Sequence, residues 1–411
     1  MKILLVGESS LLHNTLKKGL VELGHQVTLM SDGNDWHNSP RDIDLRRNME
    51  RYGRWSGLMV LWKIVCNLHK ICGNDIVQVH NYQFVPLMGW WNMLIFWFLK
   101  FTNKRIIKGC FADDPHLFRQ QAKGIPAYSD TFWNGKLQNL EENKERMTFH
   151  FMPQFDKCWH TVSYHSDALI ACLYEYYLCY DVSEFHKKLY YIPLPMIIPA
   201  IDENRQKGNG EVIKVLVGLQ PKREYLKGAL KIAHFVEILA KKYPGKIELK
   251  YVEGVAYDKY CRMLDEADVL VDQFYSYTPS MNSLAAMARG PVVIGGGEEE
   301  FYEFIRETEL RPIINVSPEY TESQNVAIIE QAFFVKDNLA KLSSQSIYFV
   351  KKYHNYTSVA STYVKLYEKL LACSNKVTLF CPVINGKYLY INHVTSVVHK
   401  YTIKKTPTTD K

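Results

Sequence analysis

The chain has 411 residues, of which 47% are hydrophobic and 23% are charged, and its formal net charge is +7 at pH 7. This composition excludes an intrinsically disordered chain, and the length predicts about two or three domains rather than a single core. The positive charge is small for this length, so no nucleic-acid partner is predicted, although the charge suits an anionic ligand or an anionic membrane face.

The N-terminal half of the sequence alternates between strand and helix patterns. Ile3 to Val6 is a continuous apolar run, which is typical of a strand buried on both faces of a parallel sheet. A helix is expected over residues 11–23, and later strands are expected over residues 27–30, 75–79, 105–108 and 190–192. This alternation predicts a doubly wound α/β domain over residues 1–196.

The rest of the chain divides into four segments by composition. Residues 197–211 are polar and contain glycine, which indicates a linker. A second strand–helix alternation follows over residues 212–345, and residues 346–373 are predicted to be terminal helices. Residues 374–411 alternate as strands do around an Asn-Gly pair, which favours a tight hairpin turn. The sequence therefore predicts two Rossmann-like domains facing a cleft, with a short C-terminal β-hairpin tail.

A basic pair lies near the start of the first helix of the second domain. Arg223 and Lys227 follow a predicted strand at residues 214–218 and are four residues apart, so they share one helix face. A forked guanidinium and a compact ammonium together suit a bound diphosphate. The alternative is a solvated basic helix start, which is common on protein surfaces, and both interpretations stay open.

A polar loop in the second domain is a further candidate for phosphate binding. It brings Ser280 and Asn282 to the start of a helix, where free backbone N–H groups and partial positive charge favour an anion. Both residue types are also common helix N-caps, so ordinary capping is the alternative.

A glycine-rich turn followed by acidic residues lies after the next strand. Gly296 permits close approach of a ligand to the backbone. Glu298 and Glu300 are candidates for binding sugar hydroxyls, and acidic residues also suit the first turn of a helix through its dipole.

Candidate acceptor-side residues follow strands of the first domain. Asp113 is placed to act as a catalytic base, with an Asx turn before Pro115 as the alternative. His80 and Asn81 end another strand and are expected to face the same cleft. The first turn, Gly7 to Leu12, does not match the G-x-G-x-x-G pattern, so a dinucleotide cofactor is not predicted.

No metal site is predicted from the sequence. Cys66, His69 and Cys72 form an isolated group without the partner cluster that a zinc site requires. We therefore expect chemistry that uses side-chain cations and backbone dipoles rather than a bound ion.

The longest apolar stretch, residues 85–99, falls short of the ~20 residues that a membrane-spanning helix requires. It is expected to be a buried or an interfacial helix. Together with the arginines at positions 46, 47, 51 and 54, it allows two interpretations: peripheral contact with a membrane, or a core helix beside a solvated basic face. We expect a cytoplasmic protein, and the first interpretation adds contact with the cytoplasmic membrane face.

Several of these segments resemble the B-type nucleotide-sugar glycosyltransferases, in particular the family called "glycosyl transferases group 1", over most of residues 1 to about 370. Arg223, Lys227 and Gly228 are similar to the diphosphate-binding segment of that family. Residues 266–273 are similar to the strand that precedes its nucleotide-binding helix. Gly109 and Asp113 resemble a strand-end turn in its first domain.

The resemblance implies transfer of a sugar from a UDP- or GDP-sugar donor to a saccharide or lipid-linked acceptor, in surface polysaccharide or glycan assembly, without a bound cofactor. The family has two glutamates eight positions apart around the nucleotide-binding helix, and here those positions hold Tyr277 and Ala285. Glu298 or Glu300 is a candidate substitute carboxylate. The loss of the glutamates favours an alternative, a non-catalytic protein that binds nucleotide sugar or glycan. A nucleotide-sugar epimerase on the same fold is a third hypothesis.

Overall fold

A computed structural model of the chain describes residues 1–33, 39–138, 140–200, 207–208, 210–219 and 227–373. The hairpin predicted for residues 374–411 and the candidate residue Arg223 lie outside these ranges. Within the described residues no helix is long and apolar enough to cross a membrane.

The N-terminal domain is built on a seven-stranded parallel sheet. Its strands are β1 (Lys2–Val6), β2 (Gln26–Ser31), β3 (Ile43–Asp44), β4 (Ile76–Val79), β5 (Arg105–Cys110), β8 (Ala168–Ala171) and β9 (Leu189–Tyr191). A separate antiparallel hairpin consists of β6 (Phe132–Trp133) and β7 (Lys136–Leu137). The spatial order is β3-β2-β1-β4-β5-β8-β9, so the winding reverses between β1 and β4. Open α/β sheets bind ligands beyond the carboxyl ends of the strands at such a switch point.

Helices cover both faces of this sheet. They are α1 (Leu12–Glu22), α2 (Met49–Tyr52), α3 (Ser56–Cys66), α4 (Leu68–Ile71), α5 (Gly89–Thr102), α6 (Pro115–Gln121), α7 (Leu140–Phe151), α8 (Pro153–His165) and α9 (Tyr174–Tyr180), with short 3-10 helices at Gly53–Trp55 and His186–Lys188. The buried sides of α3, α5 and α8 share one hydrophobic cluster with one face of the sheet. Helix α1 packs in the cluster on the other face.

The C-terminal domain contains a five-stranded parallel sheet. Its strands are β10 (Ile213–Leu219), β11 (Ile247–Glu253), β12 (Val269–Val271), β13 (Val292–Gly295) and β14 (Ile313–Asn315). The spatial order β11-β10-β12-β13-β14 places the switch point between β10 and β12. This is the second common order of doubly wound sheets, so the predicted fold of two Rossmann-like domains is confirmed for the described residues.

Seven further helices complete the described part of the chain. They are α10 (Ala229–Lys242), α11 (Tyr257–Glu266), α12 (Met281–Met287), α13 (Glu299–Phe304), α14 (Glu322–Phe334), α15 (Asn338–Tyr353) and α16 (Tyr356–Ala372). The predicted terminal helices are thus two, and they pack on different domains. In α15, Ser343 Oγ donates to Gly290 O of the C-terminal domain at 2.7 Å. In α16, Tyr367 OH donates to Gln78 Oε1 of the N-terminal domain at 2.7 Å.

The two chain crossings between the domains run side by side. Met196 N donates to His354 O at 2.6 Å, and Tyr356 N donates to Met196 O at 3.1 Å. These hydrogen bonds join the end of the N-terminal domain to the turn between α15 and α16. The described ends of the two crossings are therefore hydrogen-bonded to each other.

Candidate functional site

The switch point of the second sheet is lined by the ends of β10 and β12. Phe274 N, just after β12, donates to Lys227 O at 2.9 Å, which places Lys227 at the carboxyl end of that strand. Gly228 follows with φ 70°, and a Cβ there would lie 2.8 Å from Phe274 Cβ, so the close contact requires glycine. The backbone of Lys227 therefore lies beside the crevice expected for a ligand, and binding of a diphosphate by its side chain stays a prediction.

A buried carboxylate organises the polar loop beside this crevice. Asp272 Oδ2 accepts from Ser280 Oγ at 2.9 Å, and Asp272 Oδ1 accepts from Asn282 Nδ2 at 3.2 Å. Ser283 Oγ donates to the same carboxylate. Ser280 stands at the N-cap of α12 but makes no side-chain cap, because its hydroxyl is directed to Asp272. The structure thus brings both predicted loop residues together around a residue that the sequence does not single out.

The glycine turn after β13 packs directly on this loop. A Cβ at Gly296 would lie 1.7 Å from Ser276 O, so only glycine fits. Gly296 N also donates to Gln273 O at 3.1 Å. The close approach predicted at Gly296 is made to the loop backbone, and a ligand contact there stays a prediction.

Tyr277 and Glu298 join the loop to the N-terminal domain. The ring of Tyr128, just before the β6–β7 hairpin, stacks on the ring of Tyr277 with centroids 4.4 Å apart. The Tyr128 hydroxyl donates to Glu298 Oε1. Of the two acidic candidates, Glu298 is therefore held at the domain boundary, whereas Glu300 is exposed at the start of α13. Tyr277 stands where the resemblance leads one to expect a glutamate, and its aromatic ring packs between the domains.

Glu175, at the start of α9, is a functional candidate that the sequence does not reveal. Its Oε2 accepts from Thr278 Oγ1 at 2.6 Å, and its carboxylate also accepts from the backbone N–H of Tyr277. Burial raises the pKa of the Glu175 carboxyl to about 7, although these hydrogen bonds lower it. A carboxyl group from the first domain thus sits on the polar loop of the second.

We expect Glu175→Gln to remove a pH dependence from the stability of the folded chain. The pKa of this carboxyl rises from 4.5 to about 7 on folding, so its contribution to stability is complete below pH 4.5 and is lost as the pH rises through 7. The wild-type melting temperature should therefore fall relative to that of the glutamine variant across this range. Glu300→Gln, which changes an exposed carboxylate, should keep the wild-type profile. Parallel profiles for wild type and Glu175→Gln would contradict the assignment.

His80 lies at the switch point of the first sheet. A Cβ at Gly7, where φ is 81°, would lie 1.9 Å from His80 Nδ1, so the turn after β1 must be glycine. Burial lowers the pKa of His80 to about 4, so the ring is neutral near pH 7. Its Nδ1 makes no hydrogen bond with the residues described. It is a buried polar atom at the strand ends of the first domain.

The N-terminus of α1, next to this histidine, is already occupied by an anion. Glu8 Oε1 accepts from His13 N at 3.0 Å, and Glu8 Oε2 accepts from Asn14 N at 2.9 Å. A cofactor phosphate would compete with this carboxylate for the same N–H groups. That this turn binds no dinucleotide stays a prediction.

Asp113, the predicted catalytic base, is ion-paired. Arg146 contacts its Oδ2 through Nε at 2.7 Å and through Nη2 at 2.6 Å, and also contacts Asp130 at 2.8 Å. Asn81 Nδ2 donates to Asp113 O at 2.9 Å, so these two predicted residues are neighbours. Pairing with arginine weakens a carboxylate as a base. The catalytic role of Asp113 stays a prediction.

The part of the chain that the structure describes contains no group of three or more His, Cys, Asp or Glu side chains arranged to hold a metal ion. The ligands available at the cleft are instead carboxylates held by hydroxyls, amides and arginine. Such a set can orient sugar hydroxyls, while Lys227 can interact with negative charge.

No family model matches the chain, and no curated protein matches it. Solved structures do resemble it. A sucrose-phosphate synthase from Thermosynechococcus elongatus is 15% identical with a TM-score of 0.56, and the match covers 91% of this chain and 100% of that one. A glycosyltransferase from Rickettsia africae is 12% identical with a TM-score of 0.51, covering 90% and 98%. Anabaena HepE in complex with UDP and glucose is 11% identical with a TM-score of 0.51, covering 90% and 99%. The chain therefore has the two-domain fold of the B-type glycosyltransferases.

Proposed function

We propose that this chain is a glycosyltransferase that moves a sugar from a nucleotide-diphosphate donor to a saccharide or lipid-linked acceptor. The observation that carries the proposal is the crevice at the ends of β10 and β12, where Lys227 lies beside the loop held by Asp272 and that loop contacts Glu175 of the first domain. A similar fold has been solved with UDP and glucose bound. UDP is therefore the first nucleotide to test, and GDP is the second.

On the donor side, the reaction requires stabilisation of a leaving diphosphate. Lys227 supplies a cation at the carboxyl end of β12, and Arg223 lies four residues earlier in the sequence. Positive charge aimed at the departing phosphate lowers the barrier most when water is excluded. We propose that these two side chains stabilise the leaving diphosphate without a metal ion.

Carboxylates at the domain boundary are proposed to orient the donor sugar. Glu298 accepts from Tyr128 of the first domain, and Glu175 of the first domain accepts from Thr278 of the loop. They supply acceptors for sugar hydroxyls where the family's two glutamates are replaced by Tyr277 and Ala285.

On the acceptor side, we propose that His80 contributes a neutral ring nitrogen and Asp113 a carboxylate. The two residues follow β4 and β5, which are neighbours in the first sheet, so they reach the cleft from adjacent strand ends. Asn81 links them by holding the backbone of Asp113. An acceptor hydroxyl between them would face the donor bound to the other domain. We place the reaction in the cytoplasm, in surface polysaccharide or glycan assembly.

A second candidate function is a protein that binds nucleotide sugar without transferring it. The observation that favours it is Tyr277, whose ring fills the domain boundary by stacking on Tyr128 where a ribose-binding glutamate is expected. Such a protein would keep the diphosphate site and lose turnover.

Donor conversion with a panel of UDP- and GDP-sugars separates these functions. The purified full chain should release nucleoside diphosphate from one donor, faster when its acceptor saccharide is present. Tight donor binding without turnover, under every acceptor tested, would favour the binding protein. Conversion of the donor sugar to its epimer with the nucleotide still attached would contradict the transferase.

A further inference from the structure

Helix α3 carries an apolar stripe that the rest of the chain does not cover. Val60 and Ile64 are buried in the core of the N-terminal domain, as expected for one side of a helix. Leu58, Trp62 and Val65 recur at helical spacing on the other side, and Trp62 is 61% exposed. A helix that is apolar on both sides is normally buried on both sides.

Helix α5 repeats the pattern. Phe96 and Leu99 are fully buried, whereas Trp90, Leu94 and Phe101 are exposed, the last of them by 70%. We call the exposed residues of the two helices the α3–α5 face; they are Leu58, Trp62, Val65, Trp90, Leu94 and Phe101. The two stripes together present three large aromatic rings to solvent.

The stripes belong to one surface. The buried sides of α3 and α5 pack in the same hydrophobic cluster on one face of the first sheet, the face opposite to α1. A Cβ at Gly57, in α3, would lie 3.4 Å from Leu87 Cδ2, in the segment that leads into α5. Both exposed stripes therefore lie on the same side of the first sheet, and large exposed apolar areas mark binding surfaces.

The segment that carries this surface is basic. Residues 46 to 104 contain eight lysines and arginines but only two acidic residues. The cations at positions 46, 100 and 104 form ion pairs with aspartates. Arg51 is exposed, and Lys63, within α3, donates to Arg46 O rather than to a carboxylate. Tryptophan flanked by basic side chains suits the interface of an anionic bilayer, where Lys and Arg are attracted to the anionic headgroups.

The length of the two helices and the charge around them distinguish a bilayer surface from a membrane-spanning arrangement and from a second copy of the chain. Helices α3 and α5 have 11 and 14 residues. They are thus about 16 and 21 Å long, too short to span the ~30 Å hydrocarbon core. A second copy packed on a two-fold axis would bring the basic rims together and repel. We propose that the α3–α5 face binds the surface of an anionic lipid bilayer, with both helices lying in the interface.

Vesicle sedimentation of the full chain tests this proposal without reference to its enzymatic activity. Wild type should sediment with phosphatidylcholine vesicles that contain phosphatidylglycerol, weakly with phosphatidylcholine alone, and less at high salt. Trp62→Ala/Trp90→Ala should weaken binding at least about tenfold. Val335→Ala/Tyr348→Ala removes two exposed apolar side chains of the C-terminal domain and should bind as wild type does.

A second experiment reverses the charge of two basic residues and leaves the apolar side chains unchanged. Arg51→Glu/Lys63→Glu should also lose binding to the anionic vesicles, and circular dichroism should show that each variant is folded. No binding by wild type, or binding as tight as wild type by both Trp62→Ala/Trp90→Ala and Arg51→Glu/Lys63→Glu, would overturn the proposal. A dimer in solution that dissociates in Trp62→Ala/Trp90→Ala would also overturn it, because a second copy would then cover the face.

Discussion

Replacing Lys227 with alanine should weaken the binding of UDP or GDP, whichever nucleotide the chain prefers, by about 10- to 150-fold. The variant loses a charge-assisted hydrogen bond to the diphosphate, which is worth ~1.5–3 kcal/mol. Arg223→Ala should have an effect of similar size, because its guanidinium is predicted to bind the same group. Calorimetric titration of each variant with the nucleoside diphosphate measures this loss.

A matched control lies at the other end of helix α10. Lys241→Ala removes the same charge from an exposed position about 20 Å along the helix, where only long-range electrostatics are affected. It should bind the nucleotide as wild type does. Unchanged affinity in both Arg223→Ala and Lys227→Ala would remove the donor-site assignment.

Lys108→Met should lower the free energy of unfolding by about 3–5 kcal/mol. Lys108 is fully buried, its Nζ lies 3.1 Å from Asp114 Oδ2, and Asp114 is buried as well. Burial alone raises the pKa of Asp114, but Lys108 and hydrogen bonds from Tyr180 and Leu117 outweigh it, so the net pKa is lowered. Methionine in place of the lysine leaves a buried carboxylate without its cation. Urea unfolding measures the change.

Two comparisons make this prediction specific. Lys108→Met/Asp114→Asn removes both charges and keeps a residue that can cap α6, so it should recover part of the lost stability. Lys104→Met breaks the ion pair between Lys104 and Asp75, in which the lysine side chain is 65% exposed. This change should lower the free energy of unfolding by less than ~1 kcal/mol. A loss for Lys108→Met no larger than that for Lys104→Met would show that the buried pair contributes little.

The parts of the fold that the sequence predicts are those with long local patterns. The apolar run of β1 and the strand expected over residues 105–108 appear where expected, because burial on both faces of a parallel sheet requires such runs. The helix expected over residues 11–23 appears as α1. Strand β8 is absent from the sequence prediction. It has only four residues, two of them alanine, which has low strand propensity, and its place between β5 and β9 is fixed by tertiary packing.

In the candidate site as well, the sequence predicts only those residues that lie in a local pattern. Lys227, Ser280 and Asn282 could be chosen because each lies beside a predicted strand end or helix start. Glu175 and Tyr128 carry no comparable signal, because they reach the loop only when the two domains meet. Contacts between distant segments leave no local pattern in a single sequence.

We propose that a nucleoside diphosphate binds at the carboxyl ends of β10 and β12. A crystal structure of the full chain with UDP or GDP would show where the nucleotide binds. We predict a diphosphate within hydrogen-bond distance of Lys227 Nζ and beside the loop that Asp272 holds. A nucleotide bound instead at the switch point of the first sheet, next to His80, would contradict the claim.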